Sequence, residues 1–167
     1  MSLARIVIVD DHPLVRRGIS DSIQDIPGFE IVGEAGNAQE TFALLSTVDV
    51  DIVVLDISLP GEDGIEVLKQ IRAAYPHIKV LMLTMHPEEL FALRAFRIGA
   101  SGYLAKAEAP RELARALIKI TEGGKYISQS MSTDLIDHLD SNISVRRFEL
   151  LSDRELQIMM LLAKGMT

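Results

Sequence analysis

Short runs of β-branched and apolar residues alternate with longer amphipathic stretches over most of the chain. Arg5-Ile-Val-Ile-Val9, Phe29-Glu-Ile-Val32, Asp51-Ile-Val-Val-Leu55, Lys79-Val-Leu-Met-Leu83 and Gly102-Tyr-Leu104 read as five strands. The first, third and fourth are almost continuously apolar, the pattern of parallel strands covered on both faces. Helical periodicity follows each of them, over residues 14–26, 38–47, 64–74, 88–98 and 111–122. In the third stretch Ile65, Leu68 and Ile71 recur at three-residue spacing, with Glu66, Lys69, Gln70 and Arg72 on the other side. Pro13, Pro87 and Pro110 fall at first-turn positions, where a missing N–H costs nothing. Five strand–helix units in succession predict an α/β protein: a parallel sheet, helices on both faces and right-handed crossovers.

The pattern breaks at Gly123-Gly124, a helix stop followed by Lys125-Tyr126-Ile127. Residues 130–139 are compatible with one more helix, and Asp140-Ser-Asn-Ile-Ser144 is polar and linker-like. A new helix start comes at Leu151-Ser-Asp-Arg-Glu155, a capping box with Ser152 as N-cap and Glu155 three residues on. Leu156, Met159, Met160 and Ala163 continue it as an apolar stripe, and Lys164-Gly165 supplies an end signal.

Composition narrows the class. The 167 residues are 48% hydrophobic and 25% charged, as expected for one ordinary domain with a small remainder and not for a disordered or fibrous chain. Cysteine is absent, which excludes a disulfide scaffold, a thiolate zinc site and a cysteine nucleophile. No apolar run approaches the roughly 20 residues that span a bilayer, and no secretory signal opens the chain, so a cytoplasmic protein without a membrane partner is expected. The net charge of −7 argues against a nonspecific nucleic-acid binder. Residues 145–167 hold four basic and three acidic side chains, so the acidity belongs to the body and the tail reads as a separate unit.

In an open α/β sheet, ligands bind outside the carboxyl ends of the strands. The first strand is followed by Asp10-Asp11, the third by Asp56, the fourth by Thr84 and the fifth by Ala105-Lys106. Three carboxylates, a hydroxyl and an ammonium are thereby expected on one rim. Three anions so placed repel one another unless a cation joins them. A hard divalent ion suits oxygen ligands, and Mg²⁺ suits a site of few carboxylates that keeps several waters.

These residues together resemble the receiver domain of two-component response regulators. The resemblance rests on Asp10-Asp11, on Asp56 with Leu59-Pro-Gly61 and Gly64, on Thr84, and on Tyr103-Leu-Ala-Lys106, and it spans about residues 4–122. Leu151-Ser-Asp-Arg-Glu-Leu-Gln-Ile-Met-Met-Leu-Leu-Ala-Lys-Gly165 resembles the opening helix of a LuxR/FixJ-type helix-turn-helix domain. The implied organisation is a receiver over 1–122, a linker with a helix over 123–149, and a truncated start of the all-α DNA-binding domain over 150–167. The implied receiver fold is flavodoxin-like and doubly wound, with five strands in the order 2-1-3-4-5 and five helices.

The resemblance also implies roles. Asp56 is the expected phosphoacceptor, taking a phosphoryl group from a phosphohistidine on a sensor histidine kinase. Asp11, Asp56 and the backbone carbonyl of Ser58 would hold Mg²⁺, with Asp10 acting mainly through a bound water. Lys106 and Thr84 would contact phosphoryl oxygens, and Thr84 and Tyr103 would form the conformational switch. The implied protein is a regulator of transcription and not an enzyme, beyond Mg²⁺-dependent self-phosphorylation and slow self-dephosphorylation. DNA is the implied partner of the full protein and not of this fragment, and phosphorylation can drive homodimerisation. Ala107 stands where the family pattern has proline, often after a cis bond. A non-proline cis peptide costs about 2.5–4 kcal/mol, so a trans bond is expected.

Each residue has a plainer reading. Asp10-Asp11 is compatible with an ordinary loop or a helix N-cap and Asp56 with a turn cap, Tyr103 with a half-buried strand aromatic, and Met82, Met85, Met159 and Met160 with core filling. His12, His77, His86 and His138 lack zinc spacing and read as solvated or locally bonded, His12 beside the acidic pair as a possible modulator of it. Gly123-Gly124-Lys125 is no phosphate-binding loop, since the spaced glycines and the following Ser or Thr are missing. Two other classes share features with the chain. A flavodoxin-like FMN carrier needs a Ser/Thr/Gly-rich loop where Asp10-Asp11 stands, and an aspartyl phosphatase of the haloacid-dehalogenase type needs a second Asp where Ser58 stands. A degenerate receiver serving only as a docking surface fits less well, because every phosphorylation residue is present.

Overall fold

The computed structural model describes residues 2–85 and 89–128. The expectations for Pro87 and Glu88, for the helix over 130–139, for the capping box at Ser152 and for the unit over 150–167 lie outside the described residues. In chain order the elements are β1 (Ala4–Val9), α1 (Pro13–Gln24), β2 (Phe29–Ala35), α2 (Ala38–Thr47), β3 (Ile52–Asp56), α3 (Gly64–Ala74), β4 (Lys79–Thr84), α4 (Glu89–Ile98), β5 (Gly102–Ala105), α5 (Ala109–Thr121) and β6 (Tyr126–Ile127). All strand pairs are parallel, in the order β2-β1-β3-β4-β5-β6. This is the expected 2-1-3-4-5 sheet with one strand added at its edge.

Alternation along the central strands divides the core in two. Val7, Val9, Val53, Leu55, Val80, Met82 and Tyr103 face α2, α3 and α4. Their neighbours Ile6, Ile8, Ile52, Val54, Leu81, Leu83 and Leu104 face α1 and α5. Every one of these fourteen side chains is almost completely buried, and burial of one such aliphatic side chain stabilises by about 1.5–3 kcal/mol. The near-continuous apolar runs are therefore what a sheet covered on both sides demands.

Boundaries moved where local chemistry says they should. α5 begins at Ala109 and not at Arg111, because Pro110 sits in its first turn and needs no N–H partner there. β2 runs on to Ala35 through Gly33 and Glu34, past a bulge opposite the Ile6–Val7 step of β1. β6 pairs Tyr126 with Gly102 and Ile127 with Tyr103. Two residues carry no legible period, so the sequence alone showed only that the helix had stopped. No cis peptide occurs among the described residues, so the bond after Lys106 is trans, and Lys106–Glu108 forms a 3-10 turn leading into α5.

Candidate functional site

Strand register brings the polar residues to one rim. Val9 of β1 lies opposite Leu55 of β3, so Asp10 arrives level with Asp56, the last residue of β3. Asp56 pairs in register with Leu83 of β4, and Thr84 pairs with Ala105 of β5, immediately before Lys106. Asp10, Asp56 and Thr84 are 1%, 2% and 4% exposed, unusual burial for such groups. What pairs the two buried carboxylates is Lys106, whose Nζ lies 2.6 Å from Asp10 Oδ2 and 3.0 Å from Asp56 Oδ2.

The free carboxylate oxygens are held by their own loops. Asp56 Oδ1 accepts the Ser58 N–H at 3.1 Å, and Asp10 Oδ1 accepts the His12 N–H at 2.8 Å. These are Asx turns, so the turn-cap reading of Asp56 is correct and compatible with chemistry. The N-cap reading of the acidic pair is not: His12 occupies the N-cap of α1 and no side chain caps it. Its ring lies over the pair, with Nδ1 2.9 Å from Asp11 Oδ1 and 3.2 Å from Asp10 Oδ1.

Two glycines shape the loop after β3. Gly61 adopts φ +78°, the left-handed region that glycine enters without strain. Gly64 packs so tightly that a Cβ there would stand 2.4 Å from the Asp56 carbonyl oxygen and 2.7 Å from that of Ile57. Its N–H donates to the Ile57 carbonyl at 2.8 Å, and Asp63 caps α3 by accepting the Ile65 N–H at 3.0 Å. Ser58 and Asp63 are bridged across the loop, which fixes the Ser58 backbone beside Asp56.

Electrostatics follow from burial. Burial pushes the Asp56 carboxyl above the usual aspartate range, although the Lys106 ammonium and the Ser58 N–H pull the other way. For Lys106 burial lowers the pKa, but its bonds to Asp10 and Asp56 outweigh that and hold it above the ordinary lysine value. One ammonium thus serves two buried carboxylates, with Asp11, about one-third exposed, at the mouth. Asp10, Asp11, His12 and Asp56 each offer an atom within 4.8 Å of the others. A cluster of hard oxygen donors that still holds excess negative charge and opens to solvent at Asp11 fits a Mg²⁺ ion that retains several waters.

Every residue singled out at the rim is present there, and Tyr103 is completely buried on the face shared with α4, not half-buried. Met82 fills the core as expected, whereas Met85 is 65% exposed, because β4 ends at Thr84 and the chain leaves the sheet there. His77 contacts the Tyr75 ring edge-on, a local role. Arg16 is the contributor that the residue pattern did not single out for the acidic loop, since spacing does not reveal long-range contact.

A buried strand-end aspartate beside a lysine and two further carboxylates, on a doubly wound sheet, defines a receiver domain. Residues 6–118 match the family model of the response regulator receiver domain, and the chain belongs to that family as a two-component response regulator. It is similar to the response regulator UvrY of Escherichia coli, at 35% identity over 164 residues, covering 98% of this chain and 75% of UvrY. It is also similar to the response regulator GacA of Pseudomonas aeruginosa, at 32% identity, covering 96% of this chain and 76% of GacA. Among solved structures, a LuxR-family response regulator from Aurantimonas sp. SI85-9A1 superposes with a TM-score of 0.78 at 41% identity, covering 82% of this chain and 98% of that one. RcsB in its complex with DNA superposes with a TM-score of 0.78 at 28% identity, covering 98% of this chain and 78% of that one. Among the described residues no helix is long and apolar enough to cross a membrane.

Proposed function

We propose that Asp56 accepts a phosphoryl group from the phosphohistidine of a sensor histidine kinase in the cytoplasm. The resulting acyl phosphate then switches the receiver to control a DNA-binding transcriptional output. The observation that carries this reading is the Asp56 carboxylate itself, buried at the end of a central strand and held 3.0 Å from Lys106 beside Asp10 and Asp11. In the transfer an Asp56 oxygen bonds to phosphorus as the phosphorus–nitrogen bond to the donor imidazole breaks, and the imidazole keeps that electron pair. Phosphoryl transfer asks the protein mainly for positioning and charge neutralisation. The Asx turn to Ser58 fixes the nucleophile's orientation, and Lys106 is placed to follow a phosphoryl oxygen as a point charge. Thr84, at the end of the next strand, would donate its hydroxyl to another oxygen.

Asp11, Asp56 and the Ser58 carbonyl would hold Mg²⁺, with Asp10 behind them; the ion would neutralise charge on the transferring group. Beyond this transfer, the proposed chemistry is slow self-dephosphorylation by water. The tail over 150–167 is proposed to begin the helix-turn-helix effector of the full protein. RcsB, which forms dimers on DNA, supports DNA and a second copy of the chain as partners of the phosphorylated regulator.

Intact mass after incubation with a small-molecule phosphodonor tests this reading. One phosphoryl group per chain is expected with Mg²⁺, none with chelator and none in Asp56→Asn. An adduct of equal stoichiometry in Asp56→Asn would sink the assignment.

A further inference from the structure

We infer that Arg16 is a positioning residue for the acidic loop and sets its affinity for divalent cations. The inference rests on the proposed Mg²⁺ site and adds a residue that touches neither the ion nor the phosphoryl group. Arg16 lies in the first turn of α1, about one-fifth exposed, and folds back over the loop that begins the helix. Its Nη1 donates to the backbone carbonyl of Asp10 at 2.6 Å, and its Nε donates to Glu34 Oε2 at 3.3 Å. The N–H of the same Asp10 donates to the carbonyl of Ala35, the residue after Glu34, at 3.0 Å.

The Asp10 backbone is therefore pinned from both sides to the end of β2, by its N–H directly and by its carbonyl through Arg16. That carbonyl belongs to the Asp10–Asp11 peptide, so holding it restrains the peptide plane from which both aspartates project. A guanidinium suits the task because its rigid planar fork meets a carbonyl and a carboxylate at once, and it stays charged at every working pH. Partners that orient metal ligands typically change metal affinity by about 10–100-fold when removed.

Mg²⁺ binding to the whole chain by titration calorimetry, with circular dichroism to verify folding, is the test. Arg16→Ala should weaken Mg²⁺ binding about tenfold, the low end of the range for such partners. Arg16→Lys should recover only part of the loss, because a point charge cannot reproduce the fork. Glu34→Gln, at an exposed position, should weaken binding about two- to threefold, since the anchor of the guanidinium becomes neutral. It decides the matter if Arg16→Ala fails to fold. At saturating Mg²⁺ the phosphorylated fraction of the folded variants should return to the wild-type level. Wild-type binding that is unchanged in the variants would overturn the inference alone. No Mg²⁺ binding by the wild type would overturn the site reading and the inference with it.

Discussion

At the scale of single residues, the site depends on contacts too close to tolerate change. Gly64→Ala puts a methyl group within 2.4 Å of the Asp56 carbonyl oxygen, and the atoms it meets are backbone, which cannot swing aside. Overpacking of this kind costs about 1–3 kcal/mol and sometimes more, so a loss near the top of that range is expected. A urea denaturation midpoint equal to wild type would contradict it. Lys106→Met strands two buried carboxylates and should cost about 3–5 kcal/mol at neutral pH without added metal.

The pH dependence of that loss has a definite sign. Asp56 is raised in the folded state, so the native protein takes up protons before the unfolded chain does, and stability falls as pH rises through the raised Asp56 range. Removing the ammonium should steepen that fall. Lys106 is also raised, so its own contribution is complete below the ordinary lysine value near 10.4 and is lost only as pH climbs beyond it. Urea midpoints at mildly acidic, neutral and alkaline pH check both limbs. Asp10, Asp11, Asp56, Thr84 and Lys106 were legible in the sequence because each stands at or just past the end of an apolar run. The His12 ring over the acidic pair, the Arg16 fork and the tight seat of Gly64 were not, since each depends on a distance that only folding creates.

At the scale of elements, the strands and helices followed from period and burial, and β6 is the instructive exception. It is held by pairing with β5, by Lys125 Nζ donating to the Ala100 carbonyl at 2.7 Å, and by the Tyr126 hydroxyl donating to the Glu112 carboxylate of α5. Strand propensity summed over two residues says nothing. These tertiary bonds decide the conformation. Burial and then the Glu112 hydrogen bond push the Tyr126 hydroxyl well above the usual tyrosine range. Its contribution is therefore complete below pH 10 and is lost as pH rises past that value. Tyr126→Phe should cost about 1–2 kcal/mol at neutral pH and flatten the alkaline decline. An unchanged alkaline profile in that variant would show that β6 is not secured through Glu112.

At the scale of the whole molecule, the rim and the far face of the sheet are joined by β4 and β5. On the proposed reading, phosphorylation of Asp56 would add about −1.5 to −2 charges beside Thr84 and Lys106, and these groups would favour an active state only through contacts the inactive state lacks. Thr84 ends β4 at the connection into α4, while Tyr103 is buried against the α4 side and pairs with Ile127 of β6. A phosphate mimic with Mg²⁺ should therefore alter amide exchange in α4, β5, β6 and α5, and Thr84→Ala should keep phosphorylation but weaken that change. Changes confined to the loops at Asp10, Asp56 and Lys106 would show that this route is wrong.

The switch between the rim and the α4 side presupposes that the phosphoryl group forms on Asp56. Borohydride reduces an aspartyl phosphate to homoserine, so reduction after treatment with a phosphodonor and Mg²⁺, followed by peptide mass analysis, locates the modified residue directly. The expected result is homoserine at position 56 alone, absent when Mg²⁺ is chelated. Homoserine at position 10 or 11, or a phosphorylated chain with position 56 unmodified, would contradict the assignment of Asp56 as phosphoacceptor.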